Sequence, residues 1–137
     1  MEDDRLYCIY LRKSREDREI ERYDNVNTLD RHRRTLLRFA EEHNMPIGHI
    51  YEEVVSGETI EEREVMKNVL RDVESRMWSG VLVMEVERLA RGDTSDQGVV
   101  ARVFKYSSTK IVTLTKTYDP NNEFDEEYFE FGLYMSR

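Results

Sequence analysis

Residues 6–11, LYCIYL, are apolar at both sets of alternating positions. Successive side chains of a strand point to opposite faces, so this strand has two apolar faces to cover. A sheet with one solvated face cannot accommodate it. A central strand with helices above and below can, and the rest of the chain is patterned to supply them. TLDRHRRTLLRFAEEHN places Leu29, Leu36, Leu37 and Ala40 on one helical face, with Asn27 or Thr28 as N-cap and a stop before Pro46. IGHIYEEVV reads as a second strand ended by Ser56-Gly57. A second helix opens at the Thr59/Glu62 capping-box spacing and repeats Val65, Met66, Val69, Leu70, Val73 and Met77, with Gly80 closing it.

Strand VLVMEV follows, then a helix from about Asp93 to Tyr106 with Val99, Val100, Val103 and Phe104 inward, and strand KIVTLT. After a turn at Pro120-Asn121-Asn122, a last helix begins near Asp125 and is still helical in pattern at Arg137. Strands alternating with helices imply right-handed crossovers and a mainly parallel sheet. The expected fold is α/β: three layers, with a central sheet of four to five strands flanked by helices. Trp78 and most tyrosines, Tyr7 and Tyr10 among them, are assigned to the core, its rim or the sheet.

The chain has 137 residues, the size of one ordinary domain, and 39% of them are apolar. No stretch has the apolar length of a membrane span. The start, MEDDRLYCIY, lacks the basic-then-apolar layout of a signal peptide. Cys8 alone cannot form an intrachain disulfide and reads as a small buried hydrophobe on the first strand. A reduced, cytoplasmic location is expected, with no membrane partner. A net charge of −8 argues against a surface that coats nucleic acid, because such binding depends on Lys and Arg neutralising phosphates. A local anion site remains open, since 36% of the residues are charged.

Ligands of open α/β sheets sit outside the carboxyl ends of the strands. The first strand delivers Arg12, Lys13 and Ser14 there. The second delivers Ser56-Gly57, with Arg63 one turn into the next helix. The third delivers Glu87, Arg88 and Arg91. Arg-x-x-Arg alone is commonly a solvated helix face, a lone serine after a strand is commonly a cap, and Arg63 among glutamates could be an exposed ion-pair partner. At three strand ends of one small sheet they read together as a phosphate site. Arginine offers phosphate a planar fork of donors and stays charged. Ser14, between Arg12 and Arg15, is placed to attack phosphorus and form a phosphoserine.

Other chemistries find little support. His32, His43 and His49 lack metal-ligand spacing and cysteine company. There is no Gly-rich nucleotide loop. Glu52, Glu53 and Glu58 with Asp93 and Asp96 could face magnesium, but acidic residues are abundant throughout. No metal or other cofactor is expected.

The order of motifs resembles the catalytic domain of the serine recombinases, the resolvase–invertase superfamily, and most of all the large serine integrases and transposases. YLRKSRED is similar to the family's Tyr-x-Arg-x-Ser signature, VSGETIEER to its Ser-Gly-x-x-x-x-x-Arg segment, and MEVERLARGDTSD to its Asp-Arg-Leu-x-Arg motif. The resemblance covers essentially the whole chain. It implies Ser14 as nucleophile, Arg12, Arg63, Arg88 and Arg91 as phosphate ligands, and Glu87 as the orienting acid where Asp is usual. His32 stands where large members often carry Gln. A metal-independent reaction is implied, through a 5′-phosphoserine, in a homo-oligomer that passes from dimer to tetramer. It further implies a catalytic domain over 1–123 and the start of a long oligomerisation helix over 124–137. The main DNA-binding regions would lie beyond Arg137. The rivals are another phosphoryl-transfer α/β hydrolase, and a catalytically silent oligomerisation domain of the same fold.

Overall fold

The computed structural model describes residues 5–13, 28–54, 64–86, 89 and 94–121, except for the side chains of 94–97. Eight elements follow one another: β1 (Leu6–Lys13), α1 (Thr28–Glu42), β2 (Ile47–Val54), α2 (Glu64–Glu74), β3 (Trp78–Leu82), α3 (Thr94–Ser107), β4 (Lys110–Val112) and β5 (Thr117–Tyr118). The strands form one sheet in the order β2-β1-β3-β4-β5. The first four are parallel, and β5 pairs antiparallel with β4.

The two apolar faces of β1 divide the core. Ile9 and Leu11 join Leu82 and Val112 beneath Leu36 and Ala40 of α1. Cys8 and Tyr10 join Tyr51, Val81 and Ile111 beneath Met66, Val69 and Val73 of α2 and Val100 and Phe104 of α3. The sheet is therefore the middle of three layers, as its patterning requires. Burying each such large side chain contributes roughly 1.5–3 kcal/mol, which offsets the entropy of ordering the strands.

The helices depart from expectation in detail. The buried stripe of α1 is Thr28, His32, Leu36 and Ala40, at strict four-residue spacing. Leu37, one residue off that line, is 37% exposed, while Leu29 and Phe39 pack at its rim. The expected caps at Asn27 and at Thr59/Glu62 lie outside the described residues, as does the expected final helix. Met77 lies beyond α2 and is 48% exposed.

Gly80 closes no helix. It is the third residue of β3, where a Cβ would stand 2.9 Å from Cε2 of Tyr7 and 3.2 Å from the Lys110 carbonyl oxygen. All three helices instead end on a non-glycine residue with positive φ: Asn44 at 56°, Arg76 at 63° and Ser108 at 55°. Each end makes the same pair of bonds. Arg76 N–H donates to Val73 O at 2.9 Å and Met77 N–H to Asp72 O at 3.1 Å. Asn44 with Met45, and Ser108 with Thr109, repeat the pattern. These are Schellman ends, which satisfy carbonyls that the helix leaves open.

β3 begins at Trp78, ahead of the apolar run, because Trp78 and Ser79 are themselves buried. The expected strand KIVTLT is cut to three residues. Thr113 Oγ1 accepts from Lys116 N–H at 3.2 Å, and Thr113 N–H donates to Lys116 O at 2.9 Å. That turn reverses the chain into β5.

Candidate functional site

The chain passes from β1 to β2 on one side, then crosses back over β1 to reach β3 and β4. The strand order thus reverses at β1 and β3, and a sheet of this kind opens its binding crevice at the carboxyl ends of those two strands. β1 ends there in Arg12-Lys13. β3 is followed by Val83, whose N–H donates to Val112 O at 2.9 Å, and then by Val86 and Leu89. Both of these are buried against the α2–α3 core, and Leu89 N–H donates to Val86 O at 3.0 Å. The leucine of VERLAR is thus an anchor in the core.

Arg12 is only 6% exposed. By alternation it shares the face of Cys8 and Tyr10, and its register partner on β2 is Glu53, itself 4% exposed. A charge this deep requires hydrogen-bonded company. Tyr10 Oη donates to Glu53 Oε1 at 2.6 Å, and the backbone N–H of Val65 donates to Glu53 Oε2 at 2.9 Å. Val65 is the second residue of α2, where backbone donors have no partner within the helix and negative charge is favoured. One carboxylate therefore ties β1, β2 and the start of α2 together beside Arg12. Composition groups Glu53 with Glu52, Glu58, Asp93 and Asp96 as one acidic residue among many and does not mark this role. The signal was the phase of β2, which turns Tyr51 and Glu53 inward and Glu52 and Val54 outward.

His32 lies in the second turn of α1. This helix returns antiparallel to β1, so its start stands at the carboxyl end of the sheet. Arg33 bridges to Glu52 near the end of β2 at 3.3 Å and to Asp30 at 3.0 Å, holding that turn in place. His32 is 8% exposed and continues the stripe of Leu36 and Ala40 in the α1 layer, whereas Arg12 belongs by alternation to the opposite face. Ser14, Arg63, Glu87, Arg88 and Arg91 lie outside the described residues. Glu52 and Glu53 point to opposite faces, so this pair cannot share one metal ion.

The model of the family described as "Resolvase, N terminal domain" matches residues 7–134. The chain belongs to this family. Membership supports site-specific DNA recombination as the reaction class. Three solved structures share the resolvase-domain fold. The N-terminal catalytic domain of TP901-1 integrase aligns over 96% of this chain and 93% of its own, at 19% identity and a TM-score of 0.70. The C-terminal catalytic domain of ISC1926 TnpA, an IS607-like serine recombinase, aligns over 80% of this chain and 67% of its own, at 20% identity and a TM-score of 0.62. A resolvase-family site-specific recombinase from Streptococcus pneumoniae aligns over 91% and 84%, at 13% identity and a TM-score of 0.63.

Two buried titratable groups of the resolvase domain sit away from the carboxyl edge. Burial, with Asp72 adding to it, pushes the Cys8 thiol well up, so the thiol stays protonated and is no nucleophile. Burial also raises Tyr51, whose hydroxyl donates to Asp72 Oδ2 at 2.5 Å and accepts from Trp78 Nε1 at 3.0 Å. This chain of bonds fastens β2 and β3 to the end of α2.

Proposed function

We propose that the chain is the catalytic domain of a serine site-specific recombinase in which Ser14 is the nucleophile. The observation that carries this is a buried arginine, Arg12, at the carboxyl end of the central strand and at the reversal of strand order, two residues before Ser14. The reaction begins when Ser14 Oγ attacks a DNA phosphodiester. An Oγ–P bond forms, the bond from phosphorus to the 3′ oxygen breaks, and that oxygen leaves as a hydroxyl after taking up a proton. The product is a 5′-phosphoserine, and reversal by another 3′-hydroxyl reseals the strand.

Charge gathers on the non-bridging oxygens as the attack proceeds. Arg12, Arg63, Arg88 and Arg91 are assigned to stabilise it, each worth roughly 10²–10³ in rate by analogy with fixed donors elsewhere. Glu87 orients that cluster, and His32, from the α1 side, is the candidate to assist the phosphate or proton transfer. A homo-oligomer that passes from dimer to tetramer, with paired double-strand breaks exchanged in the tetramer, follows from the same reading. A cytoplasmic location is proposed on a separate ground, the single cysteine, Cys8.

Ser14→Ala in the full-length protein should abolish the covalent protein–DNA adduct and leave DNA binding intact. Strand exchange by that variant would overturn the assignment. So would release of free phosphate from a small ester by the unaltered protein, with no adduct on DNA.

A further inference from the structure

The outer face of α1 carries charge in an order that its own helix dipole opposes. Residues 28–38 contain four arginines and one acid, Asp30, whereas the last turn carries Glu41 and Glu42 and no base. The N-terminal end of a helix favours negative charge and the C-terminal end positive charge. This arrangement therefore costs the helix stability, and in a protein of net charge −8 it concentrates positive charge at one place.

Asp30 and Glu52 engage Arg33, and Asp30 also reaches Arg34 at 3.0 Å, but the Arg34 side chain remains 72% exposed. Arg31 and Arg38 are exposed and have no ion-pair partner among the described residues. Arg31, Arg34 and Arg38 follow i, i+3, i+7 spacing, which puts them in one stripe roughly opposite the buried line of Thr28, His32, Leu36 and Ala40. The stripe starts at the carboxyl end of the sheet, where β1 delivers Arg12 and Lys13, and is replaced by glutamates at the other end of the helix. At 1.5 Å per residue it runs for about 10 Å, the axial span of roughly three phosphates on one DNA strand.

We infer that this stripe is a track for the DNA backbone, by which the catalytic domain itself holds the duplex beside the cleavage site. The inference rests on the recombinase reading and extends it to a surface outside the reacting cluster. Arginine at such a place contacts phosphate without reading sequence, so it contributes register and affinity but no base preference.

The test compares full-length protein carrying Ser14→Ala with the same protein also carrying Arg31→Ala and Arg38→Ala. Binding to two labelled duplexes of unrelated sequence is followed by anisotropy across a salt series. Two lost phosphate contacts should lower the slope of log affinity against log salt by about 2, and weaken binding roughly tenfold or more near 0.1 M salt, equally for both duplexes. Lysine at both positions should restore most of the slope. The alanine variant should melt no lower than its parent, because alanine favours the helix and removes charge that opposes the dipole.

Unchanged affinity and slope would overturn the inference. A loss confined to one duplex would overturn it as well, since that marks base readout. So would a change in sedimentation with the salt slope intact, which would assign the stripe to a second copy of the chain. If the Ser14→Ala parent binds neither duplex at any salt, the recombinase reading itself fails, a result separate from these.

Discussion

Glu53 ties three elements together at the carboxyl end of the sheet, beside the arginine proposed to meet phosphate. Its carboxylate receives Tyr10 Oη and Val65 N–H and stands in register with Arg12. Hydrogen bonds to a charged group contribute roughly 1.5–3 kcal/mol each. Tyr10→Phe should therefore destabilise the domain by about that amount and slow adduct formation several-fold. Glu53→Ala should do more harm on both counts, because it leaves Val65 N–H and Tyr10 Oη without their acceptor. Glu53→Gln keeps an acceptor and should recover part of the rate. Urea denaturation beside single-turnover cleavage checks both. Wild-type cleavage by Tyr10→Phe and Glu53→Gln would show that Glu53 has no positioning role. The residue was hard to find from sequence for a physical reason. Among 29 acidic residues, a Glu-Glu pair looks like solvated charge, and only the phase of the strand separates the inward one from the outward one. The expected strand-end arginines stand out in sequence because they recur at three places, and of these Arg12 alone lies among the described residues.

At the scale of elements, the helices repeat one device. Each ends in a Schellman turn on Asn, Arg or Ser and then enters the next strand within a few residues. Left-handed backbone costs a residue with a Cβ about 1–2 kcal/mol, whereas glycine adopts it freely. Arg76→Gly should therefore raise stability by roughly 0.5–1 kcal/mol, since the side chain is exposed and its bond to Tyr106 O is long at 3.4 Å. Gly80→Ala should do the reverse, because its Cβ would press on the Tyr7 ring and the Lys110 carbonyl. Thermal denaturation of the two variants makes the comparison. The same device explains why the element types were legible and some ends were not. Apolar period marks a helix while it lasts, but a left-handed arginine or serine leaves no mark in composition, so after α2 Gly80 is the nearest visible stop.

For the molecule as a whole, the three-layer fold was legible in two features together, the two apolar faces of β1 and the alternation of strands with amphipathic helices. The short β5 was not foreseen, because two residues carry too little pattern to register. The buried hydroxyl and thiol set how the assembled domain responds to alkali. Both are raised above their ordinary values, so the native state holds their protons more tightly than the unfolded chain does. Their contribution is complete below the ordinary values, near 8.5 for Cys and 10 for Tyr, and is lost as pH climbs toward the folded ones. Stability measured by urea should thus fall from about pH 8.5 upward and more steeply beyond about 10. Tyr51→Phe should flatten the second part of that fall while lowering stability at neutral pH, where Asp72 and Trp78 lose their partner. Cys8, fully buried, should resist a thiol reagent until the domain unfolds. Ready labelling of the folded protein would contradict this.

The strand order also governs birth. Of the described strands β1 is made first, yet its neighbours are β2 and β3, and the second of these is complete only at Leu82. β2 can cover one edge once Val54 is made, but until Leu82 the other edge of this apolar ribbon stays open, the kind of surface that recruits other chains. Closing it needs contacts between residues some seventy positions apart, and such pairing is slow. Synthesis that pauses before residue 82 should expose that edge for longest, so chaperone demand and aggregation should respond to translation speed up to Leu82.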